Sequence, residues 1–156
     1  MKKLLPLLLF YASLTACQKD KDPAAPTKTD LLTATNWRLA AYTVVSVTAG
    51  SSTTVDAYAA YPACQRDNFI RFRPDKSILY DEGPAKCDPA ISQTETSSWQ
   101  WADNEQTLAV ASRVVNASIP YEVVELTNST LRLRYTRKQY FGGSDLSTDE
   151  WTYHAF

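Results

Sequence analysis

The sequence predicts an all-β domain, an eight-stranded antiparallel up-and-down barrel with a short N-terminal helical turn. Three observations carry this reading. Eight short segments between residues 36 and 156 alternate apolar and polar side chains with the period of two that turns one face of a strand toward a core. Most of their connections are of hairpin length, which makes neighbours antiparallel. The composition includes nine Tyr, four Trp and a single Met, with Val and Thr frequent and no long run of helix formers. Eight meandering strands leave two unpaired edges, and closing the first strand onto the last removes both. Such a barrel has an interior just wide enough for side chains or one small ligand. The rival is a β-sandwich, but no tryptophan lies between Cys64 and Cys87, and the long crossing connections of a Greek key are missing.

In chain order, Lys2 and Lys3 are followed by an apolar run, Leu4 to Leu14, and by the box Leu14-Thr15-Ala16-Cys17. A basic start, an apolar run and a small-residue cleavage box make a secretory signal. The run of about eleven residues is too short to cross a bilayer core of ~30 Å as a helix. The box resembles the lipobox of bacterial lipoproteins. That resemblance implies a signal peptide over residues 1–16, removed before Cys17, and a diacylglycerol on the Cys17 thiol. Each buried CH₂ adds ~0.8 kcal/mol, so the two or three chains implied would hold the protein durably on a membrane. The expected location is the cell envelope, as an outer-membrane lipoprotein facing the periplasm or the cell surface. The alternative is an ordinary signal peptide with an incidental cysteine near its end.

Without residues 1–16 the chain has 140 residues, the size of one domain. It then carries 14 basic and 17 acidic side chains, and shows no basic stripe of the kind nucleic acid requires. With Cys17 taken by lipid, Cys64 and Cys87 remain, an even number in an exported protein. A disulfide, two free thiols and a metal site are the alternatives. A metal site is disfavoured because His154 is the sole histidine and no Cys-x-x-Cys occurs. The oxidising compartment favours the disulfide, which would close a loop of 22 residues and add ~3 kcal/mol on the chain-entropy account.

Residues 18–30, rich in Lys, Asp, Pro and Thr, read with Cys17 as a flexible tether over 17–30. Fully extended, 13 residues reach ~45 Å. Asp30-Leu31-Leu32-Thr33-Ala34 reads as a cap and one helical turn. The expected strands are 36–47, 67–73, 77–82, 96–102, 107–114, 120–126, 130–138 and 150–156. In the first, Trp37, Leu39, Ala41, Thr43, Val45 and Val47 share one face. Residues 48–66 read as a long loop, Pro74-Asp75-Lys76 as a turn, and Gly142-Gly143-Ser144-Asp145 as a loop. Leu131, Leu133 and Tyr135 point one way, and Arg132 and Arg134 the other.

The run Cys64-Gln-Arg-Asp67-Asn68-Phe-Ile-Arg-Phe72-Arg-Pro-Asp75, then Gly83, Cys87, Ser97-Ser98-Trp99 and Leu108, resembles the lipocalin-like lipoproteins of Bacteroidetes. Asn36-Trp37-Arg38-Leu39 is similarly placed to the Gly-x-Trp start of the first lipocalin strand. Gln18-Lys19-Asp20-Lys21-Asp22 is also similar to the charged tag that follows the lipidated cysteine in surface-exported members, although Lys21 interrupts its acids. The resemblance covers residues 31–156. It departs from the family pattern at Thr35 and Ser97, where glycine is usual, and at Lys76 in the turn. It implies a lipocalin-like barrel with Cys64 paired to Cys87, and no defined ligand.

No constellation of residues points to catalysis. His154 lies near the end of a strand among aromatic neighbours, without a nucleophile and carboxylate in sequence beside it. Asp67, Asp75, Asp81, Glu82 and Asp88 form an acidic region without the spacing of a calcium loop. Asn116-Ala117-Ser118 and Asn128-Ser129-Thr130 match a glycosylation signal that a bacterial lipobox makes incidental. The aromatic residues are the more informative set, and Trp37, Trp99 and Trp101 are the candidate ligand-wall residues. The competing reading is that these rings simply fill the core. The expectation is a binding module for a small apolar or amphipathic ligand, with no enzyme activity, no cofactor and no metal. The alternative is a structural or interaction subunit of an envelope complex with a filled barrel.

Overall fold

The computed structural model describes residues 24–138 and 146–156. The expected signal peptide, Cys17, the first half of the tether (17–23) and the Gly142–Asp145 loop lie outside these residues.

Helix α1 spans Lys28–Thr33 and starts earlier than expected. Its cap is Thr27, and Asp30 sits three residues inside. Thr27 Oγ1 accepts from Asp30 N at 3.1 Å, while Thr27 N donates to the Asp30 carboxylate at 2.9 Å. The Thr27 hydroxyl also donates to the Asp30 carboxylate at 2.7 Å, and this bond, then the one from Thr27 N, holds the Asp30 carboxyl below its usual range. The cap and the start of this helix therefore lie inside the segment read as tether.

Nine strands follow: β1 (Trp37–Thr48), β2 (Ser51–Asp56), β3 (Phe69–Phe72), β4 (Ser77–Asp81), β5 (Thr94–Ala102), β6 (Thr107–Ala111), β7 (Ser118–Leu126), β8 (Thr130–Lys138) and β9 (Leu146–Ala155). Each of the eight expected strands is present. From β3 to β9 every strand pairs antiparallel with the next, and β9 pairs with β1 from Trp37↔Ala155 to Val47↔Leu146. That ladder closes an eight-stranded barrel of β1 and β3 to β9. The sequence reading missed β2, which hairpins onto the far half of β1 outside the closed circuit. All six of its residues are exposed, so it has no buried face to alternate with. The rest of the expected 48–66 loop holds a 3₁₀ turn, Tyr58–Ala60, and a short helix, α2 (Ala63–Arg66).

The face expected for β1 is half correct. Trp37 and Leu39 face inward, but the register shifts between Leu39 and Ala41. Beyond the shift Tyr42 stands opposite Trp151, and Val44 opposite Asp149. Tyr42 and Val44, not Thr43 and Val45, therefore face the interior. A one-residue bulge exchanges the two faces of every residue after it. On β8 the expected alternation holds. Leu131 and Leu133 are buried, and Arg132 and Arg134 reach Glu150 on the outer face at 2.6 and 2.9 Å. The hydrogen bonds from Arg132, then Arg134, hold the Glu150 carboxyl below its usual range against the opposing effect of partial burial.

The core gathers at the end where β1 begins. Leu32, Trp37, Phe72, Ile78, Trp99, Leu108 and Leu131 are buried there. Helix α1 closes this base. Trp37 Nε1 donates to Leu32 O and Trp101 Nε1 to Thr29 Oγ1, each at 2.9 Å, and Lys28 Nζ reaches Glu105 O at 2.6 Å. The opposite rim carries the β1–β2 turn, the 57–68 segment, the 82–93 loop and the 112–117 loop.

Candidate functional site

The circuit is uneven. β1 meets β9 along nearly its whole length but meets β3 only at Trp37↔Ile70 and Arg38↔Phe69. The next backbone bond on that edge is Ala57 N to Tyr42 O at 2.9 Å. Between them β1 lacks a strand neighbour, and the 57–68 segment lies across the opening.

A disulfide fixes that segment. Cys64 in α2 is joined to Cys87 in the 82–93 loop, with 5.2 Å between Cα atoms. Beside it Asp67 Oδ2 accepts from Ala85 N at 2.9 Å. Gly83 has φ +66°, and a Cβ there would fall 2.6 Å from Asp67 O, so only glycine fits this close approach.

Under the segment lies a cleft of about 240 Å³, walled by Leu39, Tyr61, Asn68, Phe69, Tyr80, Glu82, Arg113 and Tyr153 among others. Behind it an interior cavity of about 160 Å³ is lined by Ile70, Phe72, Ile78, Tyr80, Val110, Tyr121, Leu133, Trp151 and Tyr153. A third space, about 240 Å³, lies beneath the 112–117 loop against Tyr80, Val110, Arg113 and Tyr121. Tyr80 borders all three and forms part of the partition between them, with Ile70 and Tyr153 shared by the cleft and the cavity and Val110 and Tyr121 by the cavity and the third space. Each alone is smaller than the ~300 Å³ at which small-molecule pockets begin, while spaces joined across Tyr80 would pass it.

The partition is held from outside. Arg113 places its guanidinium 4.2 Å from the centroid of the Tyr80 ring and pairs with Glu95. Burial raises the Tyr80 hydroxyl above its ordinary pKa, and the nearby Arg113 charge opposes that shift. Burial likewise raises Tyr61 and Tyr121, and drives Tyr153 far upward. These phenols stay neutral hydrogen-bond donors at physiological pH. Farther toward the rim Tyr42 stacks on Trp151 at 5.2 Å and donates to Asp149 Oδ1 at 2.7 Å. Asp149 is 1 % exposed. Its Oδ2 meets Arg137 at 2.7 Å as an ion pair off the line of a hydrogen bond. The arrangement is an apolar, aromatic space edged by hydroxyls, one guanidinium and the Asp81 and Glu82 carboxylates. That chemistry suits a ligand with an apolar body and a polar end.

Of the three tryptophans singled out in the sequence, Trp37 and Trp99 are buried in the core at the base. Trp37 also edges the cleft, whereas Trp99 and Trp101 border none of the three spaces. Tyr61, Tyr80, Tyr121 and Arg113 were not singled out, although Tyr80 shares the inward alternation of Ile78. His154 is exposed on the outer face opposite Arg38, away from the cleft. The acidic residues serve local turns: Asp75 accepts from Ser77, Asp81 from Gly83 and Gln93, Asp88 from Ala90, and Glu82 from Asn68. Among the described residues no group of three His, Cys, Asp or Glu is placed to hold a metal ion.

No family model and no curated protein matches this chain. Among solved structures it is similar to a lipocalin-like protein from Bacteroides uniformis, at 15 % identity and a TM-score of 0.42, covering 81 % of this chain and 99 % of that one. The barrel stands on its own ladders: eight antiparallel strands in an up-and-down order closed first to last, with a helix across one end.

Proposed function

We propose that this chain is an envelope-anchored lipoprotein whose lipocalin-like barrel holds a small apolar or amphipathic ligand at the opening between β1 and β3, without catalysing a reaction. The observation that carries the ligand reading is the meeting of three spaces at Tyr80, behind the 39–41 stretch of β1, whose edge toward β3 no strand covers. Phenol hydroxyls and Arg113 would orient the polar end, and the interior aromatic rings would take the apolar body. The anchored reading rests on Lys2, Lys3 and the Leu14-Thr15-Ala16-Cys17 box. Native mass spectrometry of the gently extracted protein tests the first part. A retained lipid-sized mass that is lost on Tyr80→Trp, which fills the partition, supports the carrier, and a bare protein mass overturns it. Cys17→Ser tests the second, since the anchored form leaves the membrane fraction on losing its lipid.

One observation favours an envelope interaction subunit. Val114, 93 % exposed, and Val115 sit side by side on the rim loop, where a protein partner would bury them. A stoichiometric protein in the same spectrum would support that reading in place of the carrier.

A further inference from the structure

The arginines divide into groups by partner. Arg113, Arg132, Arg134 and Arg137 pair with carboxylates, and Arg66 bonds the carbonyls of Tyr61 and Ala59. Among the described residues no carboxylate lies within ion-pair distance of Arg38, Arg71 or Arg73. All three lie toward the base of the barrel, and two of them share one feature. Arg38 packs its guanidinium 3.9 Å from the Phe156 ring. Arg71 and Arg73 border an open groove of about 550 Å³ on the outer face of the β3–β4 hairpin.

The groove combines three kinds of surface. Phe69, Pro74 and Leu79 supply apolar contact, and Arg71 and Arg73 supply two cations. Asn36, from the connection after α1, brings a buried Oδ1 that has no hydrogen-bond partner. Asp75 is the acid in the lining, and its Oδ1 is engaged by Ser77 N at 2.9 Å and Ser77 Oγ at 2.6 Å. Guanidinium groups suit phosphate oxygens, which they can meet two at a time. A buried acceptor without a partner calls for a donor such as a hydroxyl. The groove also lies beside α1, at the end where the N-terminal segment meets the barrel.

We propose that this groove binds the phosphoglycerol headgroup of an anionic membrane lipid. Arg71 and Arg73 take the phosphate, Asn36 Oδ1 accepts from a glycerol hydroxyl, and Phe69, Pro74 and Leu79 lie against the glycerol and the first acyl carbons. The base of the barrel would then face the bilayer and the opening at Tyr80 would face away from it. The proposal goes beyond the ligand-carrying reading. It is tested on a chain without its anchoring cysteine, so its failure leaves that reading standing.

The test uses the full chain with Cys17→Ser, floated with vesicles of phosphatidylcholine alone or with one third phosphatidylglycerol. The expected result is at least tenfold tighter binding to the phosphatidylglycerol vesicles. Arg71→Gln with Arg73→Gln should lose that preference at an unchanged thermal midpoint, and Asn36→Ala should weaken it severalfold. The charge-matched pair Lys86→Gln with Lys138→Gln should keep it. Equal binding to both vesicles overturns the proposal, as does an Arg71/Arg73 variant that binds like the parent or a control pair that fails alongside it. Saturable binding of free glycerol 3-phosphate with no vesicle preference also overturns it, and assigns the groove to a soluble phosphate.

Discussion

Arg113 lies with its guanidinium 4.2 Å from the centre of the Tyr80 ring, and the same side chain pairs with Glu95. An exposed residue of the rim loop thus clamps the ring that separates the cleft from the interior. Both members of the ion pair are about half exposed, so the pair adds little stability, under ~1 kcal/mol. Its effect is positional. Arg113→Ala should shift the urea midpoint only slightly while speeding uptake and release of an apolar fluorescent probe such as N-phenyl-1-naphthylamine. Stopped-flow rates equal to the parent's would show that Tyr80 needs no clamp.

The disulfide sets the outer wall of the cleft. Reducing Cys64–Cys87, or replacing both with serine, should cost ~3 kcal/mol by releasing the loop constraint on the unfolded chain. It should also loosen Tyr61 and Asn68, which stand on the same segment. Chemical denaturation measures the first effect and probe affinity the second. Alkylation without reductant should leave both cysteines unlabelled.

Alkali should destabilise the fold in a defined window. Tyrosines in the unfolded chain ionise near pH 10, whereas burial, with the hydrogen bond to Asp149, pushes Tyr42 up to about 12. Between these values the folded form holds more protons than the unfolded one. Stability is therefore fully present below pH ~10 and falls as pH rises toward 12. Tyr153, Tyr80, Tyr121 and Tyr61 shift in the same direction and add to the slope. Urea midpoints measured from pH 9 to 11.5 should decline, and less steeply in Tyr42→Phe. Asp149→Ala, which strands the Tyr42 hydroxyl in a half-buried site, should cost ~1–3 kcal/mol at neutral pH.

Lys76, in the turn between β3 and β4, has φ +69°, in the left-handed region that favours glycine. A left-handed lysine is disfavoured by ~1 kcal/mol. Its Nζ sits 3.9 Å from the centre of the Trp99 ring, a contact of ~0.5–1 kcal/mol that offsets much of the cost. Lys76→Gly should therefore be nearly neutral. Lys76→Ala keeps the strained backbone, loses the ring contact, and should be the less stable of the two in thermal melts.

The barrel was legible because burial on one face writes a period of two into the sequence, as in Leu131, Leu133 and their arginine neighbours. Where no face is buried, that signal is absent, and β2 was read as loop for this reason. A bulge leaves no mark on composition, so alternation alone puts Tyr42 on the face opposite Trp37. The helix start was displaced because Asp30 fits a cap as well as it fits the third position of a capping box, and the bonds to Thr27 decide between them. The site was less legible than the fold. Tryptophan count drew attention to the base, whereas the empty space is bounded by tyrosines on separate strands, Tyr80 and Tyr121, that only closure of the barrel brings together. The pairing of Cys64 with Cys87 is the part of the site the sequence indicates best, since only two cysteines remain beside Cys17.

Two rungs join β1 to β3, against a ladder nearly as long as β1 on its other edge. Such a cylinder does not breathe evenly. Thermal fluctuation unzips it along the short join first, so the amides of Phe69 and Ile70 should trade hydrogen for deuterium well before those of Leu133 and Trp151. The wall would part sideways at that join while the packed floor stays shut.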